Sequence, residues 1–207
     1  DEAIGYLIGE KNKGLHAMFT FMNTARIGTA VQGLAHAELA FQGSLPYAKE
    51  RMSMRALSGK KEPEKVADSI IHHADVRRML MTQKAIAEGG RSMIYHAAQL
   101  ADKMTDALTQ GDQAKFDDYD DKLGFYTPIL KGFLTELGLE AANHGMQIFG
   151  GHGYIREWGM EQCIRDLRIS QIYEGTNGVQ SQDLIGRKTI KCQGQFIAEY
   201  IAEIRDF

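Results

Sequence analysis

Proline, cysteine and tryptophan are scarce in this chain of 207 residues, which holds three, two and one of them. The prolines stand at 46, 63 and 128, so stretches of dozens of residues lack the strongest helix breaker. Cys163 and Cys192 are too few for a disulfide framework and suit a reducing, cytoplasmic setting. No apolar run approaches the roughly 18 residues of a membrane-spanning helix, which argues against stable membrane insertion. Basic residues number 24 against 27 acidic, for a net charge of -3, so there is no basic excess to hold a nucleic acid by its phosphates. No metal set is visible either. His72 and His73 are neighbours and would point about 100° apart on a helix. The cysteines lack ligand spacing, and the acidic run 111–121 lacks the turn glycine and closing glutamate of a calcium loop. Asp1 is preceded by no Met and followed by no signal-like segment, and reads as a cut end.

What remains is an ordinary soluble composition, 43% hydrophobic and 25% charged, in a chain long enough for one core. Residues 4–9 read as a short strand. From Leu15 to Arg51 the pattern is helical, with Phe19, Met22, Arg26, Thr29, Gly33, His36 and Ala40 at three- and four-residue steps. Small residues at Ala25, Gly28, Ala30, Gly33 and Ala35 would let a neighbouring backbone come close. Ala56 to Glu62 is a polar loop, and Pro63 suits the first turn of a second helix. Val66, Ile70, Ala74, Arg77, Met81, Ala85, Gly89, Met93, Ala97, Leu100, Met104 and Leu108 give that helix a long stripe. The segment 111–121 reads as a solvated loop or short helix. Further helices are predicted over 125–149, 160–172, 179–191 and 193–207, with 150–153 and 173–178 as breaks. A stripe that long must be buried against partners of similar length. The expected fold is all-α, an antiparallel up-and-down helical bundle with a short strand at its N-terminus.

Two segments carry more glycine than a helix end requires. In Gln147–Tyr154, Gly150 and Gly151 would let a bound group lie against bare backbone. In Ile172–Gly178, Glu174 stands alone among Tyr173, Gly175, Thr176 and Asn177. If that break faces the bundle interior, burial would disfavour the charged carboxylate and bring it toward the range of a general base. Thr176 and Asn177 would cap the following helix. A plain helix corner fits the same residues. Asp166, between Arg165 and Arg168, suggests an ion pair orienting this corner. Arg51 suits either a helix C-terminus or an anion-binding arm.

The run from Gln147 to Gln180, QIFGGHGYIREWGMEQCIRDLRISQIYEGTNGVQ, resembles the C-terminal part of the acyl-CoA dehydrogenase family in order and spacing. Residues 4 to 190 share the likeness. His73 to Leu80 and Asp183 to Lys188 are similar to the larger bacterial-type branch, whose members take long-chain, aryl or sulfur-containing acyl-CoAs. The resemblance implies that residues 1–14 are a remnant of a middle β domain and linker, 15–192 the C-terminal bundle, and 193–207 the start of an extension. It implies FAD as cofactor and an acyl-CoA as substrate. A carboxylate there removes the pro-R α-proton while a β-hydride passes to the flavin, leaving a trans Cα=Cβ bond. The base is implied at Glu174, with Tyr173, Gly175 and Arg26 beside the substrate. Arg51 and Ser53 are implied on the pyrophosphate of a neighbouring subunit's FAD, Gln147, Gly150 and Gly151 along its adenosine portion, and Thr176 on the flavin. The implied partners are electron-transferring flavoprotein and further copies of the chain, as dimer or tetramer. Gly178, Ala74 and Asn23 depart from the pattern of smaller members, which bears on flavin contacts and chain-length preference. An oxidase of the same fold and a helical interaction module without chemistry stay open as alternatives. By itself this piece is expected to show little or no dehydrogenation.

Overall fold

The structure, a computed structural model, describes residues 2–207; the side chains at 16, 19 and 20 fall outside it, and with them Phe19 of the first predicted stripe. Three helices of 37 residues form the body: α1 (Gly14–Glu50), α2 (Ala74–Gln110) and α3 (Gln113–Phe149). Each is about 55 Å long at 1.5 Å per residue. The α2–α3 reversal is tight. Gly111 adopts the left-handed conformation (φ 72°), and the Asp112 carboxylate caps α3 by accepting from the Lys115 amide at 3.1 Å. α3 runs parallel to α1 and antiparallel to α2, and packs against both along most of its length. Then follow α4 (Met160–Arg168), α5 (Asn177–Gln182), continued by a π-helical stretch over Asp183–Ile190, and α6 (Gln195–Asp206). The expected all-α bundle is what forms.

The core lies between the long helices. Ala30, Ile94, Ala97, Leu100, Leu123, Leu130 and Leu134 fill one end, while Ala48, Ile70, Met79, Leu80 and Ile148 fill the other. α4 closes one side by seating Met160, Cys163 and Leu167 against Ala40, Ala142 and Phe149. Backbones almost touch where α1 crosses α3. A Cβ on Gly33 would stand 2.3 Å from the Leu134 carbonyl oxygen, and one on Gly138 would stand 2.5 Å from the Gly33 carbonyl oxygen.

Several expectations are corrected. Residues 4–9 are not a strand: Ile4, Tyr6, Leu7 and Ile8 are exposed, and no edge is offered to them by the helical body. The second helix begins at Ala74, not beside Pro63, because the chain before it is tied into a loop described below. Its buried stripe is Met79, Gln83, Ile86, Gly90, Ile94, Ala97 and Leu100, so within α2 only Ala97 and Leu100 of the predicted stripe are buried, Ile70 is buried ahead of the helix, and Met81 and Leu108 are exposed. The acidic run 111–121 mostly forms the first turns of α3. α1, by contrast, runs through Pro46 to Glu50, as the pattern from Leu15 to Arg51 predicts.

Replacing Gly33 by Ala should therefore lower stability by about 1–3 kcal/mol through overpacking. Gly28, whose Cβ would meet nothing within 4 Å, is the control: its change to Ala should be neutral or slightly stabilising. Thermal or denaturant unfolding of the two variants measures the difference, and equal midpoints would contradict the crossing.

Candidate active site

Glu174 lies on the short break between α4 and α5. A turn of 3-10 helix over Ile169–Gln171 ends α4, and the Tyr173 amide donates to the Ile169 carbonyl at 3.1 Å. Glu174 (φ 53°) and Gly175 (φ 80°) are then both left-handed. For Gly175 this is cheap, but for a glutamate it costs about 1–2 kcal/mol. Thr176 returns the chain to an extended conformation and caps α5, its Oγ1 accepting from the Val179 amide at 3.3 Å, as its position in the sequence suggested.

The strained pair is held from three sides. Gln180 Nε2, a buried donor, reaches the carbonyls of Glu174 at 3.1 Å and Gly175 at 3.0 Å. Lys131 Nζ, from the middle of α3, donates to the Gly175 carbonyl at 2.7 Å and to Asn177 Oδ1 at 2.9 Å. The Tyr173 hydroxyl donates to Gln32 Oε1 on α1. Lys131 is completely buried, which pushes its ammonium down to about 8; the Arg26 charge adds to the drop, and Glu136 and Glu174 oppose it. The Glu174 side chain is half-buried and, among the described residues, makes no hydrogen bond or ion pair. It is thus anchored through its backbone while its carboxylate stays unengaged.

Arg26 is buried on α1 and pairs with Asp183, Nη1 to Oδ2 at 2.9 Å, both side chains 7% exposed. Asp183 also meets Arg187 at 3.4 Å. Arg26 therefore stands by the corner but is neutralised by Asp183, not by Glu174. Asp166 accepts from Gln162 at 2.6 Å and Arg165 pairs with Glu161, so the ion pair expected within 165–168 does not form.

A second group gathers at the far end of α3. Arg51, Ser53, Gly150 and Gly151 line one cleft with Tyr47, Ile148, Phe149 and His152. Gln147 is exposed on the last turn of α3 and does not line it. Gly151 and Gly150 have nothing within 4 Å of where a Cβ would be, whereas one on Gly153 would stand 2.6 Å from the Met146 carbonyl oxygen. Packing within the chain thus explains Gly153 and leaves the other two facing open space. The Tyr47 ring stacks on Phe149 at 4.1 Å, and its hydroxyl lies 2.9 Å from His152 Nδ1. His152 in turn stacks on Trp158 at 4.8 Å. A guanidinium without a side-chain partner among the described residues, a hydroxyl and bare backbone over an aromatic floor suit a phosphate-bearing ligand. About 27 Å along α3 separates this cleft from Lys131 and the corner above it.

The arm bearing Arg51 and Ser53 is fixed by Asp68, whose carboxylate is fully buried. It accepts from the amides of Ala56 at 2.8 Å, Lys61 at 3.0 Å and Glu62 at 2.8 Å, and from Arg55 at 3.1 Å. Burial opposes ionisation, but these donors hold the carboxyl well below the ordinary range. An antiparallel bridge between Met52 and Ser69 and a contact from His73 Nε2 to the Ser53 carbonyl at 2.8 Å complete the clamp. Lys131, Gln180, Asp183, Asp68 and Tyr47 were not singled out by sequence. Their roles depend on partners remote in the chain.

Comparison with known proteins identifies the class. Residues 12–189 match the model of the acyl-CoA dehydrogenase C-terminal domain, and the chain belongs to that family. A 3-methylmercaptopropionyl-CoA dehydrogenase of Ruegeria pomeroyi is 42% identical over 195 residues, 94% of this chain and 32% of that protein. The broad-specificity linear acyl-CoA dehydrogenase FadE5 of Mycobacterium tuberculosis is 33% identical over 205 residues, 99% of this chain and 33% of that protein. The butyryl-CoA dehydrogenase structure from Megasphaera elsdenii superposes with a TM-score of 0.65 at 26% identity, over 86% of this chain and 39% of that one. The chain spans about a third of the length of these curated relatives.

Asp68 has its lowered pKa only when folded, so its stabilisation is complete above the unfolded value near 4 and fades as pH falls through the folded value. Changing Asp68 to Asn should speed hydrogen exchange at the amides of Ala56, Lys61 and Glu62 at pH 7. It should also remove the extra exchange that acid brings to the wild-type loop. Unchanged protection at these amides would refute the clamp.

Proposed function

We propose that this chain is the catalytic bundle of a flavin-dependent acyl-CoA dehydrogenase, with Glu174 as the base that takes the α-proton of an acyl-CoA thioester. The observation that carries this reading is the Glu174–Gly175 corner. A carboxylate without partners among the described residues is set on a strained backbone that buried donors hold in place. Strain of that kind persists where surrounding structure over-determines it and clusters at active sites. Tyr173 and Gly175 flank the carboxylate and are read as substrate contacts. Arg26, paired to Asp183, supports the corner's electrostatics.

FAD, when bound, supplies the two-electron acceptor that takes the β-hydrogen as hydride. The residues present fit its phosphates and adenosine: Arg51 and Ser53 offer charge and a hydroxyl, and Gly150 and Gly151 leave backbone bare. Gln147 and Thr176 are read as further contacts, the first near the cleft and the second at the corner. The span between cleft and corner supports the cleft's serving the cofactor of a neighbouring copy, so a homo-oligomer is part of the reading. Electron-transferring flavoprotein is the assigned acceptor, and a comparison with O₂ in the full-length protein separates a dehydrogenase from an oxidase. The name of the Ruegeria relative makes 3-methylmercaptopropionyl-CoA a first substrate to try.

Two outcomes are expected in the full-length holoenzyme. Glu174→Gln should cut kcat by about 10²- to 10⁴-fold, the range of a lost general base, with FAD content kept. Arg51→Ala should instead lower FAD retention on dilution, read by flavin absorbance. Unimpaired turnover by the first variant sinks the base assignment, and undiminished flavin in the second sinks the cleft.

A further inference from the structure

Lys131 is the largest fully buried side chain, and the proton transfer does not use it. An isolated ammonium in a core is costly, and an apolar side chain of similar size often serves stability as well or better. Its presence there is explained by something only a donor of this reach supplies.

We propose that Lys131 is a positioning residue for the base: anchored on the Gly175 carbonyl and the Asn177 amide oxygen, it fixes the direction in which the Glu174 carboxylate leaves the chain. This rests on the reading of Glu174 as base. Without Lys131 the two successive left-handed residues would lose their tie to α3, and among the described residues the Glu174 side chain has no anchor of its own. Lys131 ties that hinge to the middle of a 37-residue helix. Asn177 passes the restraint on: its Oδ1 accepts from Lys131, and its Nδ2 donates to Glu136 Oε1 at 2.9 Å and lies 3.1 Å from Thr135 Oγ1. Thr135 donates to the Lys131 carbonyl at 2.7 Å, which closes the network on α3. Gln180 shares the Gly175 carbonyl with Lys131 and also holds that of Glu174, so the corner is clamped between α3 and α5.

The test is made on the full-length holoenzyme with Lys131→Met, alongside Glu174→Gln. Misplacement of a reacting group by about 1 Å costs on the order of 10²-fold, so Lys131→Met should lower kcat by about 10- to 100-fold. KM and FAD content should change by less than about twofold, as expected when an interaction made only in the transition state is lost. The kinetic isotope effect with α-deuterated acyl-CoA should rise, because a displaced base slows cleavage of that C–H bond above all. A merely structural role would instead reduce kcat in proportion to lost folded, flavin-loaded protein and leave the isotope effect where it was, and that result overturns the proposal. If Lys131→Met does not fold, Asn177→Ala decides, since it removes one anchor and leaves the ammonium in place. A lower kcat with a raised isotope effect supports the proposal, and an unchanged isotope effect overturns it. Turnover retained in Glu174→Gln removes the base itself and the proposal with it. Turnover lost there but normal in Lys131→Met removes only the role of the lysine.

Discussion

The contact between α1 and α3 at Gly33, Leu134 and Gly138 sets the geometry of everything above it. Two helices that meet backbone to backbone at Gly33 and Gly138 fix each other's axial position, because backbone cannot yield as a long side chain can. Arg26 lies two turns before the crossing on α1, and Lys131 about one turn before Leu134 on α3. The parallel course of the two helices therefore brings both cations beneath the same corner. Tyr173 reaches Gln32, the residue next to Gly33, and Lys131 reaches Gly175. The catalytic candidate is thus located by helix register and only secondarily by its own loop.

Charge at the corner follows from that register. Two buried cations so close would repel, and each is relieved differently. Arg26 receives a carboxylate, Asp183, in a pair almost sealed from solvent. Lys131 receives a carbonyl, an amide oxygen and the more distant fields of Glu136 and Glu174, and its proton affinity falls. The division leaves Glu174 unpaired among the described residues, while Glu136, the other carboxylate near the corner, accepts from the Asn177 and Gln171 side-chain amides. An acid paired to a guanidinium is a poor base, since the pair stabilises its charged form. Placing Asp183 on Arg26 keeps Glu174 available.

Sequence legibility tracked how local each determinant is. The α1 stripe was readable: Arg26, Thr29, Gly33 and Ala40 are buried at the three- and four-residue steps that the pattern gives. On α2, runs such as Met79–Leu80–Met81 and Ala85–Ile86–Ala87 offer several equally apolar starting points. A correct period was therefore laid over the wrong face. Pro63 suggested a helix start that local preference would support, but the Asp68 carboxylate captures three amides and makes a loop the better solution. The glycine-rich breaks were visible as anomalies of composition, and the family motif gave them candidate roles. Lys131 was invisible for a physical reason. A lysine on an apolar helix face usually snorkels to water, and only a partner 44 residues later shows that this one does not.

The same division between local and remote determinants bears on how the proposed chemistry would be assembled. The cleft and the corner share α3 as a common rod but stand at different points along it, with a rigid, tightly packed core between them. Neither reaches the other by bending, since that would break the Gly33 crossing and the stacked Tyr47–Phe149 pair alike. If both serve one type of cofactor, each copy of the chain contributes one part of a site and borrows another. Association then becomes a condition for chemistry as well as for stability. The glycines record this division in part: Gly33, Gly138 and Gly153 are small because the chain packs on itself there, Gly150 has a φ of 60° that favours glycine, and Gly151 stands beside space that the chain does not fill.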